Sequence, residues 1–308
     1  MLVSVIIPVY NSSKTIERTI ASVLEQDYPN MEIIVVNDGS TDDTELILNK
    51  YRDKINYYFQ SNAGVSAARN FGFEKSSGKF IQYLDADDLL AKNKISIQTE
   101  ALLKNNADVA YGDWVRFTET DFTFKELEKV EREMILRPEI ELITDFWTPL
   151  AAILYTREIA VRIGGWNTSL PVIQDARYAL DAAIQKASFI YTPGVMGYYR
   201  MHESGSLSTK NRFNFMLDCF ENAKQVDHIW RNEYALDLEK KKAILGVLRF
   251  CINEFSLLDK KLHKEAVKLV LDIDKNYMPE NSGLLRTMSK ILGYRTAERI
   301  AYYKRKLS

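Results

Sequence analysis

Runs of nearly uninterrupted apolar residues recur along the N-terminal part of the chain. Such runs are typical of strands that are covered on both faces of a parallel sheet. They are Val3 to Val9, Glu32 to Val36, Ile55 to Phe59 and Phe80 to Leu84. Helical patterns alternate with them, with N-terminal caps expected at Ser12 or Ser13, at Thr41 or Asp42, and near Ser66. The order predicts a parallel sheet wrapped by helices, with every strand-to-helix loop at one edge.

The pattern changes after this repeat. From Asp108 to Phe124 we expect short aromatic-rich strands, and the charge-dense stretch from Lys125 to Arg137 has the composition of a surface or mobile segment. The elements expected next are a strand at Ala151 to Tyr155, helices at Arg157 to Ile163 and Asp175 to Lys186, and strands at Ser188 to Tyr191 and Gly197 to Arg200.

The C-terminal part of the chain has a helical pattern throughout. Apolar residues recur with helical period over Phe213 to Trp230, Lys241 to Leu257, Ala266 to Ile273 and Leu284 to Tyr303. We therefore place a boundary near Thr209, between a domain over residues 1–209 and an all-helical region over residues 210–308. This region carries no chemical motif, so we assign it to the acceptor side, to oligomerisation or to membrane docking. Its last segment, Tyr294 to Leu307, mixes basic and apolar residues and suits either an anionic membrane surface or a solvated helix.

The composition excludes several classes of protein. The 308 residues include 41 Lys and Arg against 42 Asp and Glu, so no overall positive charge favours nucleic acid. The two cysteines, Cys219 and Cys251, lie in helical apolar patterns without metal-ligand spacing, which indicates buried free thiols in a reducing compartment. The N-terminal segment has the pattern of a strand and not that of a signal peptide. No apolar run approaches the roughly 20 residues that a membrane span needs. We expect a cytoplasmic protein.

Three carboxylates directly follow the fourth predicted strand. Asp85, Asp87 and Asp88 stand beyond its carboxyl end, where open α/β sheets bind their ligands. Mg²⁺ and Mn²⁺ favour such oxygen ligands together with phosphate oxygens of a substrate. Helix capping would explain one Asp here, and we assign Asp88 to that role, but one cap does not need three acids. The acidic run therefore predicts a bound divalent cation and a phosphorylated ligand.

An ordered set of motifs resembles those of family 2 glycosyltransferases. The matching segments are Ser4 to Asn11, Val36 to Asp42, Asn62 to Asn70, Asp85 to Asp88, Gly164 to Trp166, Gln174 with Asp175, and Tyr199 to His202. The resemblance covers residues 1–209. It implies an inverting enzyme of the GT-A fold, which is a Rossmann-like, mostly parallel sheet flanked by helices, here with a C-terminal all-helical extension. It also implies a nucleotide-diphosphate sugar as donor.

The resemblance assigns a nucleotide site to residues on several loops. The candidates are Pro8, Tyr10, Asp38, Asn62, Gly64, Arg69, Asp85 and Ala86. Tyr10 would stack on the base, Asp38 would accept the imide hydrogen of uracil, and Asp85 would bind the ribose hydroxyls. Asp38 as a cap in its own turn and Arg69 in a surface ion pair are the alternative explanations.

The resemblance also assigns the metal and the catalytic base. Asp87 and His202 would hold Mn²⁺ or Mg²⁺, although a lone histidine is often structural. Asp175 would take the proton of the acceptor hydroxyl, and its place at a helix start also suits the helix dipole. The family usually has Glu beside this base, whereas this chain has Gln174. Trp147 and Trp166 either stack on an acceptor sugar or pack in the core.

These assignments predict an inverting, metal-dependent hexosyl- or N-acetylhexosaminyl-transferase in surface polysaccharide biosynthesis. The donor is expected to be a UDP-sugar, with dTDP and GDP donors still open, and the acceptor is a glycan or lipid-linked hydroxyl. A catalytically degenerate scaffold that binds sugar nucleotides is the alternative, and Gln174 supports it. A nicotinamide-dependent enzyme is disfavoured because Pro8 to Asn11 follow the first strand, where the glycine-rich motif GxGxxG would be expected. A nucleotidyltransferase is disfavoured because no glycine-rich, basic loop follows that strand.

Overall fold

The computed structural model describes residues 1–120, 123–202, 210–232, 236–280 and 283–307. The chain divides into two compact units, Met1–Leu142 with Phe146–Ser206, and Ile143–Asp145 with Leu207–Ser308. The boundary that we expected near Thr209 falls outside the described residues and stays a prediction.

The first unit begins with the expected β-α repeats. Strands β1 (Val3–Val9), β2 (Met31–Asp38), β3 (Asn56–Gln60) and β4 (Phe80–Tyr83) pair in parallel, in the order β3-β2-β1-β4. Helices α1 (Ile16–Leu24), α2 (Thr44–Asn49) and α3 (Val65–Lys75) connect them. Every residue of β1 is buried, as expected for a central strand that is covered on both faces. The carboxyl ends of these strands therefore lie along one edge of the sheet.

The sheet continues with mixed pairing. The further strands are β5 (Leu89–Leu90), β6 (Val109–Thr120), β7 (Thr123–Val130), β8 (Ile153–Thr156) and β9 (Phe189–Arg200). Strand β8 runs antiparallel to β4 and β6, whereas β6 runs parallel to β9. The further helices of this part are α4 (Lys94–Asn105), α5 (Pro138–Thr144), α6 (Arg157–Ile163) and α7 (Gln174–Ile184). The α/β class is confirmed, and its parallel pairing is concentrated in the N-terminal strands.

The charge-dense stretch from Lys125 to Arg137 lies at the surface, as predicted. Its residues up to Val130 belong to β7, which pairs with β6 and is exposed along nearly its whole length, and this exposure explains the charged composition. The two strands expected at Ser188 to Tyr191 and Gly197 to Arg200 form one strand, β9, whose register against β6 shifts around Asp113. Bulges of this kind absorb extra residues without ending a strand.

The helix starts also differ from the predicted caps. Helices α1, α2 and α3 begin after Thr15, Asp43 and Gly64, and none of these makes a side-chain capping hydrogen bond. Asp42 instead accepts a hydrogen bond from the backbone N–H of Thr44 at 3.0 Å. Polar residues near a helix start predicted the helix but not its first residue.

The second unit is helical, as expected. Its helices are α8 (Arg212–Asn232), α9 (Leu238–Leu258), α10 (Lys260–Ile273), α11 (Gly283–Leu292) and α12 (Tyr294–Leu307). The single helix expected over Leu284 to Tyr303 is divided into α11 and α12 at Gly293, whose φ of +76° suits glycine and ends α11.

Both cysteines are free thiols in this unit, as predicted. Cys251 is buried and Cys219 is half-buried. Burial raises the pKa of the Cys219 thiol to about 12, so its reactive thiolate form is scarce. Among the helices that the structure describes, none is both long and apolar enough to cross a bilayer.

Candidate active site

Asp38 closes strand β2 and organises the loop that leads into α3. Its Oδ1 accepts hydrogen bonds from Gln60 Nε2 at 2.6 Å and from the backbone N–H of Ala63 at 2.8 Å. Its Oδ2 accepts from the backbone N–H of Gly64 at 2.9 Å. The turn after β2 is held by a different residue, since Asn37 Oδ1 accepts from the N–H of Ser40 at 2.9 Å. Asp38 therefore does not cap its own turn, and its predicted contact with uracil stays a prediction.

The other predicted nucleotide residues lie at the same sheet edge. Tyr10 follows β1 and is 51% exposed, so a ring face is available for stacking. Pro8 is buried in β1 opposite Val36. Gly64 has a φ of +90°, and no heavy atom lies within 4 Å of the position that a Cβ would take, which leaves room for close approach of a ligand.

Two further candidates, Asn62 and Ala86, make hydrogen bonds at this edge of the sheet. Asn62 Nδ2 donates to the backbone carbonyl of Asp38 at 3.0 Å. The backbone carbonyl of Ala86 accepts from Thr15 Oγ1 at 2.8 Å, and the Ala86 side chain is 7% exposed. The first bond ties the loop after β3 to the end of β2, and the second joins the loops after β1 and β4.

Arg69 is buried beside the acidic run. Its Nη2 lies 2.5 Å from Asp85 Oδ1, and its guanidinium stands 4.2 Å from the centre of the Trp166 ring. At 1% exposure it is not in a surface ion pair, so that alternative was wrong. Partial burial raises the pKa of Asp85; Arg69 opposes this shift, and the charges of Asp87 and Asp175 add to it. The predicted place of Arg69 near the donor phosphates stays a prediction.

Asp87 and His202 meet although they are far apart in the sequence. Asp87 Oδ2 and His202 Nε2 are 2.7 Å apart, and their side chains are 37% and 41% exposed. Arg200 holds the acidic run to β9, because its Nε donates to the Asp87 carbonyl at 2.7 Å and its Nη2 to Glu119 Oε2 at 2.8 Å. Arg200 lies within one of the motifs identified from the sequence, but no sequence pattern indicated this role.

The chemistry of the Asp87 and His202 pair fits a divalent cation. Carboxylate oxygen suits Mg²⁺ and Mn²⁺, and imidazole binds several transition metals. No group of three or more His, Cys, Asp or Glu side chains that could hold a metal ion occurs in the described ranges. A cation at this pair would therefore need further ligands, which substrate phosphate oxygens can supply.

Asp88 is not a helix cap, contrary to our expectation. It is 1% exposed, and its Oδ1 accepts the backbone N–H of Arg200 at 2.9 Å. Its Oδ2 is buried without a hydrogen-bond partner in the part of the chain that is described. Burial raises the pKa of Asp88 well above its usual range, and the charges of Asp87 and Asp85 raise it further. Asp88 anchors the end of β9 to the acidic run.

Asp175 stands at the second position of α7. Its Oδ2 accepts a hydrogen bond from Trp147 Nε1 at 2.7 Å, and its Oδ1 accepts from the backbone N–H of Ala176 at 2.8 Å. The Trp147 ring packs edge-on against Trp114 and Tyr199, with ring centres 5.3 and 5.2 Å apart. Trp147 thus contacts the predicted base, a role that the sequence did not reveal.

The surroundings of Asp175 are largely buried. Gln174 is 7% exposed, and its Oε1 has no partner within the described residues. Trp166 is 3% exposed and stacks on Tyr178, with ring centres 4.1 Å apart, so it packs in the core.

Comparison with known proteins adds the family. The family model of glycosyl transferase family 2 matches residues 4–161. The chain belongs to this family. One family relative, an uncharacterized glycosyltransferase of Rickettsia bellii, is 46% identical over 119 residues, which are 38% of this chain and 17% of that protein. The chain spans no more than 34% of the length of the first three curated relatives that it matches.

A second relative has a named reaction. It is the UDP-Glc:alpha-D-GlcNAc-diphosphoundecaprenol beta-1,3-glucosyltransferase WfgD of Escherichia coli, 40% identical over 115 residues, which are 37% of this chain and 46% of that protein. Among solved structures, S. aureus TarS 1-349 in complex with UDP-GlcNAc has a TM-score of 0.69 at 20% identity, and the match covers 99% of this chain and 92% of that chain. At this identity the likeness establishes the fold alone. The expected GT-A fold with C-terminal helices is confirmed.

Proposed function

We propose that this protein is a metal-dependent, inverting glycosyltransferase that moves a sugar from a UDP-sugar to a hydroxyl of a glycan or lipid-linked acceptor. The observation that carries the proposal is the contact between Asp87 and His202, 115 residues apart in sequence, at the sheet edge that also holds Asp38 and Asp85. Membership of family 2 supports the class of reaction. The named donor of WfgD and the ligand of TarS support a uridine nucleotide.

In this proposal, the donor nucleotide lies across the ends of β1, β2 and β4. Tyr10 offers its exposed ring to the base. Asp38 keeps the loop of residues 60–64 in place through its hydrogen bonds to Gln60, Ala63 and Gly64. Asp85, oriented by Arg69, faces the ribose. A preformed loop and an oriented carboxylate reduce the ordering cost of binding.

Asp87 and His202 would hold the divalent cation together with the donor diphosphate. Bound there, Mn²⁺ or Mg²⁺ would supply positive charge to stabilise the departing diphosphate. Arg200 fixes the backbone of Asp87 through its carbonyl, and the backbone N–H of Arg200 binds Asp88. Arg200 therefore holds the acidic run through the Asp87 backbone and the Asp88 carboxylate, and does not engage the side chain of Asp87.

Asp175 takes the proton of the acceptor hydroxyl while the hydroxyl oxygen attacks the anomeric carbon of the donor sugar from the face opposite the diphosphate. General bases must be held within hydrogen-bond reach of the proton that they remove. Trp147 and the N–H of Ala176 each bind one carboxylate oxygen of Asp175 and so set its orientation. Each oxygen retains a lone pair for the incoming hydroxyl.

The second candidate function is a sugar-nucleotide-binding scaffold without turnover. The observation in its favour is Gln174, a buried amide beside the proposed base where the family usually has an acid. A scaffold would bind UDP but would not release UDP from any UDP-sugar.

The test measures UDP release from UDP-glucose and UDP-N-acetylglucosamine with Mn²⁺, together with GDP- and dTDP-sugars. We expect turnover with a UDP-sugar, lowered by about a hundredfold or more in Asp175→Asn with UDP affinity retained. Asp53→Asn makes the same chemical change at an exposed carboxylate and should leave turnover unchanged. Full turnover in Asp175→Asn would exclude it as the base, and UDP binding without any release would favour the scaffold.

Attachment to the membrane face that carries a lipid-linked acceptor belongs to the same proposal, and self-association stays a prediction. The C-terminal unit is the part of the chain without another assigned role. A cytoplasmic location stays a prediction.

A further inference from the structure

The exposed surface of helices α11 and α12 carries charge of one sign. Its exposed cations are Arg286, Lys290, Arg295, Arg299, Lys304 and Lys306. The single acid in residues 283–307 is Glu298, which is 0% exposed and paired with Arg249 and Arg305. Within these residues, therefore, no carboxylate on the surface offsets the positive charge.

The same two helices expose large apolar side chains. Leu284 and Ile291 are 63% and 76% exposed and lie two turns apart, on one stripe of α11. Ile300 and Tyr303 are 44% and 51% exposed and are neighbours on the surface of α12. We call the exposed residues of α11 and α12, cationic and apolar together, the terminal face.

A neighbouring helix shows what a solvated surface in this unit looks like. Helix α10 exposes Lys264 and Lys268, and it also exposes Glu265 and Asp272. Mixed charge of this kind is usual for a helix that faces water. The terminal face differs from it in both charge and apolar exposure.

We propose that the terminal face binds the surface of an anionic lipid bilayer. Its apolar side chains enter the headgroup region and its cations lie against lipid phosphates, as in interfacial amphipathic helices. Charge decides against a second copy as occupant, because a symmetric dimer through this face would bring its cations against those of the other copy. The inference deepens the proposed function and rests on it for the purpose of attachment, since a lipid-linked acceptor lies at a membrane.

The test uses the full chain in flotation with phosphatidylcholine vesicles, prepared with and without phosphatidylglycerol. We expect binding only where phosphatidylglycerol is present, weakened by added salt. Arg295→Ser with Arg299→Ser should weaken binding by about tenfold or more, because each cation near an anionic surface adds to affinity. Ile291→Asn with Ile300→Asn should also weaken it.

The matched control is Lys264→Ser with Lys268→Ser. It removes two exposed cations at the same spacing from α10 and should leave vesicle binding unchanged. An equal loss in this control would mean that total charge, and not the terminal face, drives binding, and would overturn the assignment.

Two further results would overturn the proposal. One is no binding to phosphatidylglycerol vesicles, or binding that is indifferent to lipid charge and to the variants. The other is a dimer in sedimentation velocity that Ile291→Asn with Ile300→Asn dissociates, without any vesicle binding. UDP binding, measured on the same samples, separates the two proposals. UDP binding without vesicle binding would contradict only the lipid assignment. Vesicle binding without UDP binding would contradict only the proposed nucleotide site.

Discussion

The indole nitrogen of Trp147 donates a 2.7 Å hydrogen bond to Oδ2 of Asp175, across 28 residues of sequence. A donor fixed by aromatic packing holds a carboxylate in one orientation, and Trp147 is held in this way by Trp114 and Tyr199. The contact links the aromatic cluster on β6 and β9 to the proposed base.

Trp147→Phe removes this donor and keeps most of the packing. We expect kcat to fall by about tenfold to a hundredfold, the range for a hydrogen bond to a charged group. Turnover of a UDP-sugar at saturating donor measures this effect.

Trp166→Phe is the control for this variant. Trp166 is also buried, but its indole nitrogen makes no hydrogen bond with Asp175 in the described part of the structure. The control should lose stability and keep kcat. A wild-type kcat in Trp147→Phe would show that the indole does not act on Asp175.

Asp88→Asn should stabilise the protein at neutral pH. The pKa of Asp88 is raised in the folded state, so its contribution to stability is complete below the unfolded value of about 3.9 and is lost as pH rises through the folded value. Asparagine does not ionise and can still accept the N–H of Arg200. Without divalent cations, we expect the variant to have a higher unfolding free energy than the wild type at neutral pH, and little difference near the unfolded pKa.

Urea unfolding at the two pH values measures this difference. Asp53→Asn, at an exposed carboxylate, should show no gain at either pH. A destabilised Asp88→Asn at neutral pH would mean that the ionised carboxylate is favoured in the fold, which contradicts the raised pKa.

Asp38→Asn should loosen the loop before α3. The carboxylate of Asp38 accepts hydrogen bonds from Gln60, Ala63 and Gly64, and the NH₂ group of asparagine would face one of these donors instead of accepting from it. Losing such a hydrogen bond costs about 1 to 3 kcal/mol of stability. Urea unfolding and UDP calorimetry should show lower stability and weaker binding together. Asp43→Asn, at a helix start without a side-chain capping bond, is the control and should change neither. Unchanged stability in Asp38→Asn would contradict its part in holding the loop.

Glu298→Gln should destabilise the C-terminal unit. Glu298 is fully buried, and removing its charge leaves the guanidinium groups of Arg249 and Arg305 without their partner. Breaking a buried ion pair costs about 3 to 5 kcal/mol. Glu265→Gln, at a carboxylate that is 44% exposed, should cost little in the same thermal unfolding experiment.

The Glu298 effect should also depend on pH. Burial favours the neutral acid, but the hydrogen bond with His263 and the charges of Arg249 and Arg305 together lower the pKa of Glu298. A lowered folded pKa gives stability that is present above the unfolded value of about 4.3 and is lost as pH falls through the folded value. The difference between wild type and Glu298→Gln should therefore shrink in acid, and a difference that grows there would contradict the account.

The sequence predicted those features that depend on local pattern. Strands β1 to β4 were evident because buried parallel strands are apolar on both faces, and the ordered motifs indicated the GT-A fold. The break at Gly293 was missed because apolar periodicity continues through it, although glycine inside a helical pattern is a warning of an end.

Features that depend on contacts between distant segments were not predictable. Asp88 looked like a cap because its sequence position suits one, and only the arrival of β9 makes it a buried anchor. The contact between Trp147 and Asp175 needs α7 and the segment after α5 to meet, which no spacing in the sequence reveals. Arg69 likewise became a buried partner of Asp85 through packing on Trp166.

The most direct test of the central claim is calorimetric binding of UDP with and without Mn²⁺, in wild type, Asp87→Ala and the control Asp53→Ala, with GDP and dTDP compared in wild type. We predict manganese-dependent UDP binding that Asp87→Ala weakens by about tenfold or more, as expected when a metal ligand is removed, and that Asp53→Ala leaves unchanged. Wild-type affinity in Asp87→Ala would contradict the metal site, and no nucleotide binding under any condition would contradict the proposed function.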